Sequence, residues 1–448
     1  MKSFFKDLIL AGFFIWAFWS LFKDYKVYRL NMDEHEYVRK SVYFDLFRRG
    51  NFKDELWQHF DSYDQPKLAE YVYGLALHLA GHRDIARHLA EVDFDQGWTR
   101  DKSGEKLWSP DKWWVRFDGK NLSAPPFDLQ KIELICQARK AAILFSFATL
   151  VLFFTIGTLY KNWFFGLITS FLLFKNFLFR GCCRWAIGDI PLIFFLLLTF
   201  FLCFFFIKFF NKKDYKKTLI VSVLIGLSAG LAVSTKLNGA MAFIYFFAIL
   251  LALFVSGGYR KVVKRKLAAT SLTIVSFVCF LVFFFLNPFL WQNTFKNLLV
   301  FPAWRIGVVR VQQRKQPEDI LVTLSDKTTA VFENTVLSPK SWLFLRSKDR
   351  TRNFPLDLFL FVGGLVVLGA YFYKEVFVKK RPGKNFLVLL WVATLFSCVT
   401  AYISLNWDRY FLPLIPPIIF VQTIAVFWIL SSVYCVLREK IVNKNEEK

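Results

Sequence analysis

Acidic side chains that could act as a base occur beside basic side chains in several separate parts of the sequence. Asp33 and Glu34 form a carboxylate pair soon after the first apolar segment, and Asp189 begins a later one. A carboxylate can accept the proton of a hydroxyl group as that group reacts. Arg and Lys can bind a phosphate and stabilise the charge that develops on it as it leaves. These residue types predict a group transfer from a phosphate-linked donor to a hydroxyl.

Basic side chains that suit a phosphate lie at the ends of apolar segments and in one polar segment. Arg139 precedes the second apolar segment, Lys236 follows the fifth, and Arg409 precedes the last. A single Arg or Lys at a helix end often only anchors that helix at the membrane surface. The basic and amide residues that we predict to line one site are Gln65, Lys67, Arg139, Arg184, Lys236, Arg305, Arg310, Arg314 and Arg409.

The composition is that of a membrane protein. Hydrophobic residues make up 55% of the 448 residues and aromatic residues 19%, with 56 Phe. Hydrocarbon about 30 Å thick is crossed by roughly 20 helical residues, and about ten apolar segments approach that length. They run over 8–22, 141–160, 162–174, 190–207, 218–235, 237–256, 267–287, 358–373, 385–406 and 411–437. We therefore predict an all-α polytopic membrane protein.

The net charge of +24 is better explained by membrane topology than by nucleic acid. No groove-reading module is recognisable, so nucleic-acid binding is not predicted. The basic residues cluster in short segments at 212–217, 260–266 and 379–384, and such clusters stay on the cytoplasmic side. We expect a plasma-membrane protein with both termini in the cytoplasm. The His and Cys residues show no metal-ligand spacing, so no cofactor is predicted, and a requirement for a divalent metal stays open.

One segment decides the orientation of everything that follows it. Leu68–Ala80 is apolar and helical in period, but it is short and contains Glu70 and His78, which favours a juxtamembrane helix. If it does not cross, all three basic clusters face the cytoplasm. Residues 1–448 then form a single membrane domain with two extracytoplasmic loops, 23–139 and 288–356. Trp108, Trp113 and Trp114 in the first loop are typical of an aromatic belt.

Ordered motifs along nearly the whole chain resemble the protein O-mannosyltransferases. Asp33-Glu34-His35-Glu36-Tyr37, followed by YDQPKLAEYVYG at 63–74, resembles the opening of those enzymes, where an Asp-Glu pair precedes a His-Pro-Pro-Leu segment. CRWAIGDIPLIFF (183–195), GLAVSTKLNG (230–239) and NPFLWQN (287–293) resemble further motifs. DRYFLPLIPP (408–417) is closer to the bacterial relatives that include lipid A aminoarabinose transferase. The resemblance implies the GT-C class of membrane glycosyltransferases, which use polyprenyl-phosphate-linked sugars.

The resemblance also implies roles for individual residues. Asp33 matches the acceptor-activating base, with Glu34 beside it, and Asp189 matches a second acidic position near the acceptor. Arg139 and Arg184 match basic positions near the active site. The phosphate-binding Arg of the second loop is left open among Arg305, Arg310 and Arg314.

Two departures from the family pattern affect these expectations. Gln65-Pro66-Lys67-Leu68 replaces His-Pro-Pro-Leu, and the aminoarabinose transferase has Lys at the first of these positions, so the cation here falls two residues later, at Lys67. The second loop is also too short for the β-trefoil domain of the eukaryotic enzymes. The bacterial branch therefore fits better, and protein, lipid and glycan acceptors all stay open.

The expected function is transfer of a mannose- or pentose-like monosaccharide from a polyprenyl-phosphate carrier to a hydroxyl on the extracytoplasmic face, with inversion. The alternative is a transporter or flippase of lipid-linked glycans. Transport usually needs ionisable residues near the middle of the membrane and often uses inverted repeats. This chain keeps its charges at the ends of its apolar segments and has no recognisable repeat, which favours the enzyme.

Overall fold

The computed structural model describes residues 2–23, 25–26, 31, 33–58, 60–85, 129–255, 262–337, 356–379 and 382–446. Trp108, Trp113 and Trp114 lie outside these residues. Short 3-10 and π turns aside, the described chain forms sixteen α-helices and one bridge pair, Ile320 with Leu405. The helices are α1 (Lys2–Phe22), α2 (Glu34–Arg39), α3 (Val42–Arg48), α4 (Leu68–Leu79), α5 (Leu129–Tyr160), α6 (Trp163–Lys175), α7 (Phe177–Cys182), α8 (Asp189–Lys212), α9 (Tyr215–Thr235), α10 (Ala240–Val255), α11 (Val262–Leu286), α12 (Thr294–Lys315), α13 (Leu324–Thr335), α14 (Leu356–Tyr373), α15 (Lys384–Tyr402) and α16 (Ile415–Glu446).

Within the described residues, nine helices are long and apolar enough to cross a membrane. They are α1, α5, α8, α9, α10, α11, α14, α15 and α16, while α6 is a shorter apolar helix. The prediction of an all-α polytopic fold with about ten membrane helices is thus confirmed. Helix α4 has 12 residues and is about 18 Å long at 1.5 Å per residue, too short to span. It is the helix predicted to lie beside the membrane.

The core of the bundle is built from the phenylalanines that dominate the composition. Helix α8 is buried along most of its length, and α5, α9, α10 and α15 pack around it. The rings of Phe200 and Trp391 stack with their centroids 3.9 Å apart, and Phe420 meets both rings edge-on. Such aromatic contacts add to the burial of apolar area in fixing how the helices pack.

Two glycines let α9 and α11 approach closely. A Cβ atom on Gly226 would lie 2.8 Å from the Cβ of Val278, and one on Gly230 would lie 2.7 Å from the Cβ of Val282. Small residues four apart are a common way for membrane helices to pack, because they bring the two backbones together. The end of α9, which carries Lys236, is thereby fixed against the bundle.

The two ends of the bundle differ in chemistry. At one end, the Asn211 side chain donates to the Pro382 carbonyl (3.0 Å) and Lys384 Nζ donates to the Leu159 carbonyl (2.5 Å), among the basic clusters. At the other end lie α2, α4, α12, the start of α8 and the 3-10 turn Asp408–Leu414. Most of the predicted site residues are at this second end, and the structure brings several of them into direct contact.

Candidate active site

A polar cavity of about 200 Å³ lies where α2, α4, α12 and the turn before α16 meet. Its walls combine carboxylates with cations from segments that are far apart in the sequence. The lining residues are Asp33, Glu36, Tyr37, Lys40, Asp64, Gln65, Glu70, Lys236, Arg305, Val308, Gln312, Arg409 and Tyr410. We call this cavity the chamber.

An apolar cleft of about 470 Å³ adjoins the chamber. Its apolar wall includes Leu237, Met241, Ile244, Val309 and Ile403. The cleft and the chamber have four lining residues in common, which are Gln65, Lys236, Arg305 and Tyr410. We call these four residues the junction. A ligand with an apolar chain and an anionic head fits this layout, with the head beside the two cations of the junction.

Asp33 faces the chamber at the start of α2. The Asn31 side chain accepts from the Asp33 backbone N–H (2.9 Å) and the Asn31 carbonyl accepts from the Glu34 N–H (3.0 Å), which begins the helix at this point. The Oδ2 atom of Asp33 forms an ion pair with Arg409. A third of the Asp33 side chain is exposed (33%). Its carboxylate can therefore meet a ligand in the chamber while Arg409 holds it.

Glu34 points away from the chamber and into the protein. The two oxygens of its carboxylate accept from Arg139 Nε and a terminal guanidinium nitrogen, both at 2.7 Å. They also accept from the backbone N–H groups of Asn31 and Ala186, both at 2.9 Å. Both side chains are fully buried (0% exposed). We call the pair Glu34–Arg139 the lock, because it joins α2, α5 and the segment before α8.

The lock changes the expectation for two predicted site residues. The carboxylate of Glu34 is occupied by four donors, and Arg139 also donates to the Tyr25 carbonyl (2.8 Å). Neither residue lines the chamber or the cleft. The catalytic role of Glu34 and the phosphate-binding role of Arg139 stay predictions, and their geometry favours a positioning role for both.

Asp189 lies behind Lys236 at the start of α8. Lys236 Nζ contacts both oxygens of Asp189 at 2.8 Å, and Asp189 is almost fully buried. Lys236 lines the junction, whereas Asp189 lines neither cavity. The carboxylate thus orients the cation toward the junction. A direct catalytic role for Asp189 stays a prediction.

Asp64 connects cations from the two long loops. Its Oδ1 atom lies 3.0 Å from an Arg305 guanidinium nitrogen and its Oδ2 atom lies 2.9 Å from Lys40 Nζ. Burial raises the pKa of Asp64, but the charges of Lys40 and Arg305 outweigh it and hold the pKa below its ordinary value. Asp64 therefore stays ionised between the two cations.

Lys67, the cation of the altered motif, is turned away from the junction. It is fully buried, lies 4.4 Å from the centre of the Tyr43 ring and forms an ion pair with Glu70 at 3.1 Å. Burial lowers the pKa of Lys67, and burial raises the pKa of Glu70 to about 7 against the opposing charge of Lys67. Glu70, not Lys67, borders the chamber. The predicted phosphate contact of Lys67 gains no support from this arrangement.

Helix α12 distinguishes among the three arginines that the sequence left open. Arg305, Val308, Val309 and Gln312 are spaced as one helical face, and all four line the chamber or the cleft. Arg310 and Arg314 are exposed and lie off this face. Only Arg305 of the three reaches the junction.

Arg184 is also directed into the protein. Its guanidinium donates to the carbonyls of Ser20 (2.6 Å) and Leu21 (3.2 Å), at the end of α1. These are the carbonyls that a helix end leaves without intrahelical partners. Arg184 therefore stabilises the first membrane helix, and its predicted phosphate contact stays a prediction without support from the geometry.

Sequence reasoning missed seven polar residues of the chamber, which are Glu36, Tyr37, Lys40, Asp64, Glu70, Gln312 and Tyr410. Burial raises the pKa of Glu36, but the hydrogen bond from His35 and the charges of Lys40 and Arg39 together outweigh burial. The pKa of Glu36 therefore lies well below its ordinary value. The period of α2 was the available signal, since Asp33, Glu36, Tyr37 and Lys40 are three, four and seven residues apart. No group of three or more potential metal ligands occurs within the described part of the chain.

A comparison with models of protein families indicates the class of protein that this chain resembles. The sequence model of the family "Dolichyl-phosphate-mannose-protein mannosyltransferase" matches residues 137–291. The resemblance predicted from the motifs is thus confirmed over this part, and the chain is similar to GT-C membrane glycosyltransferases. No curated protein sequence matches.

Three solved structures illustrate the likeness. ArnT from Cupriavidus metallidurans, bound to undecaprenyl phosphate, is 13% identical with a TM-score of 0.49, over 93% of this chain and 59% of ArnT. The S. cerevisiae Pmt1-Pmt2 complex bound to the sugar donor is 14% identical with a TM-score of 0.39, over 62% and 32%. The Archaeoglobus fulgidus oligosaccharyltransferase tethered with an acceptor peptide is 13% identical with a TM-score of 0.49, over 98% and 52%. This chain thus spans 59% of the length of ArnT and smaller shares of the other two matched chains.

Proposed function

We propose that this protein transfers a monosaccharide from a polyprenyl-phosphate-linked donor to a hydroxyl group of a protein, lipid or glycan acceptor. The observation that carries the proposal is the junction, where an apolar cleft opens into a charged chamber that contains Asp33. The isoprenoid chain occupies the cleft and the sugar occupies the chamber. The family match over residues 137–291 supports the same reaction class.

The phosphate of the donor lies at the junction in this proposal. Arg305 has several N–H donors, and one of them contacts Asp64, so others can reach a phosphate oxygen. Lys236 adds a second positive charge, held in place by Asp189. Cations at this point stabilise the negative charge that develops on the phosphate as its bond to the sugar breaks.

Asp33 accepts the proton in the proposed reaction. The acceptor oxygen attacks the anomeric carbon, the bond from that carbon to the phosphate oxygen breaks, and the hydroxyl proton moves to Asp33. The products are the glycosylated acceptor and polyprenyl phosphate, and Asp33 then releases the proton to solvent. A single displacement of this kind inverts the anomeric carbon. A mannose- or pentose-like sugar is the proposed group.

The proposed site faces the extracytoplasmic side of the plasma membrane. The described residues of the basic clusters at 212–217 and 379–384 lie at the opposite end of the bundle from the chamber, and the positive-inside rule places such clusters in the cytoplasm. Residues 1–448 act as one membrane domain in this proposal, with loops 23–139 and 288–356 outside and both termini inside.

A transfer assay tests the proposal. Purified protein in detergent or vesicles is incubated with labelled polyprenyl-phosphate-mannose or -pentose and with candidate acceptors. We expect label bound covalently to an acceptor. Movement of the labelled lipid between the leaflets of a vesicle, without covalent transfer, would contradict the enzyme and support the flippase.

Arg305 and Arg310 provide a matched pair of variants for this assay. Arg305→Gln removes a cation from the junction, and we expect donor binding to weaken by roughly 10- to 100-fold, the range for a hydrogen bond to a charged group. Arg310→Gln removes the same charge from an exposed position on the same helix, and we expect a change of less than about threefold. Equal effects of the two variants on donor binding would remove Arg305 from the phosphate site.

A further inference from the structure

We infer that Lys40 is a further phosphate-binding residue of the donor site, acting with Arg305 from a different segment of the chain. This inference rests on the proposed function. Lys40 follows α2 directly, is nearly buried, and lines the chamber together with Arg305. Neither the motifs nor the family resemblance assigns it a role.

Asp64 shows that an anion is already bound between these two cations. One of its oxygens contacts Lys40 Nζ at 2.9 Å and the other contacts Arg305 at 3.0 Å. Because both cations contact the same carboxylate, the distance between them fits a small anionic group. A phosphate can therefore bind beside Asp64, or replace Asp64 at one of the two cations. Asp64 is thus a positioning residue for both cations.

Lys67, the other lysine of this part of the sequence, is less suited to this role. Lys67 is fully buried and is held by Glu70 and the Tyr43 ring. Gln65, at the junction, carries no charge. Lys40 thus adds, from the wall of the chamber, a third positive charge to those of Arg305 and Lys236.

Burial and charge make Lys40 a costly residue to keep without a function. Its side chain is 8% exposed, and a nearly buried ammonium group needs anionic partners to remain charged. Glu36, at 3.7 Å, and Asp64 supply those partners. An apolar residue could fill the same space without any partner. A role in binding an anionic ligand explains why a cation is held here.

Binding of a lipid with and without its phosphate tests the inference. The full-length protein in detergent is titrated with polyprenyl phosphate and with the matching polyprenol. We expect Lys40→Gln to weaken polyprenyl phosphate binding by roughly 10- to 100-fold, with polyprenol binding unchanged. Lys40→Arg keeps the charge and should restore most of the binding. Arg39→Gln removes the neighbouring cation, which also contacts Glu36 but does not line the chamber, and serves as the matched control.

The outcomes separate this inference from the proposed function. If the wild-type protein binds polyprenyl phosphate no better than polyprenol, the lipid-phosphate donor itself is wrong. If the wild type prefers the phosphate but Lys40→Gln keeps that preference, Lys40 is not a ligand. Equal weakening of both lipids by Lys40→Gln would show a structural role and would also overturn the inference.

Discussion

Asp33 and Glu34 are neighbours in the sequence, but their side chains belong to two different regions. Asp33 borders the chamber, is one third exposed and is paired with Arg409. Glu34 is fully buried in the lock, where Arg139 and two backbone N–H groups use both of its oxygens. One carboxylate can therefore meet a ligand, and the other holds three segments of the protein together.

The other charged residues divide between the same two regions. In the chamber, Arg305, Lys40 and Lys236 are each held by a carboxylate and also line the cavity. Arg139 and Arg184 bind groups inside the protein and line neither cavity. An ion pair at a membrane-helix end can thus either position a charge for a ligand or fix the fold. Charged residues that line a cavity can bind a ligand, whereas those that line neither cavity stabilise the fold.

The largest expected effect concerns Asp33. Asp33→Asn keeps the size of the side chain and removes its ability to accept a proton. We expect the transfer rate to fall by about 10²–10⁴-fold, the usual contribution of a general base. Donor binding and the unfolding temperature should change little. A rate within a factor of a few of the wild type would show that Asp33 is not the base.

Glu34→Gln tests the other side of the comparison. It leaves the Arg139 guanidinium buried beside a neutral amide, and losing one partner of a buried ion pair costs about 3–5 kcal/mol. We expect a clear fall in the unfolding temperature in detergent, with activity lost together with folded protein. Stable Glu34→Gln protein that binds donor but does not transfer sugar would instead place Glu34 in the catalytic machinery.

A smaller effect is expected for the pH dependence of stability, through Glu70. Burial raises the pKa of Glu70 from 4.5 to about 7, so the folded protein holds a proton that the unfolded chain releases at lower pH. Glu70 therefore contributes stability below about pH 4.5, and this contribution is lost as the pH rises to about 7.

The corresponding variant is Glu70→Gln, measured by thermal unfolding between pH 5 and 8. The wild type should lose stability toward pH 8 through this group, and the variant should lose less over the same window. Asp214→Asn, which removes a carboxylate at the opposite, basic end of the bundle, is the control. Parallel pH profiles for the wild type and Glu70→Gln would contradict the raised pKa.

Much of the fold could be predicted from the sequence. The apolar segments are long, and their lengths alone predict spanning helices. The short helix at 68–79 was predicted from its length and from the charge distribution. The ion pair between Asp33 and Arg409 brings together two residues predicted to share one end of the bundle. The order of the membrane helices alone predicts that Asp33 and Arg409 share one end, because consecutive connections between spanning helices alternate between the two sides of the membrane.

The direction of each charged side chain could not be predicted in the same way. Arg139 and Arg184 lie beside the site in sequence, but each binds a partner that only packing brings near, which is Glu34 for Arg139 and the end of α1 for Arg184. Lys67 instead pairs with Glu70, three residues further along, and packs on the ring of Tyr43. Arg305 was within reach of sequence reasoning, because its helical face also carries Val308, Val309 and Gln312. Asp64 and Lys40 needed a contact between segments that are distant in the chain.

A structure of the protein with bound polyprenyl phosphate tests the central claim most directly. We predict the isoprenoid chain in the apolar cleft and the phosphate where the junction meets the chamber. Its oxygens should lie about 2.7–3.2 Å from nitrogen atoms of Arg305, Lys236 and Lys40. Asp33 should face the open side of the same chamber. A phosphate bound at Arg139 or Arg184, or at the basic end of the bundle, would contradict the division between chamber and lock.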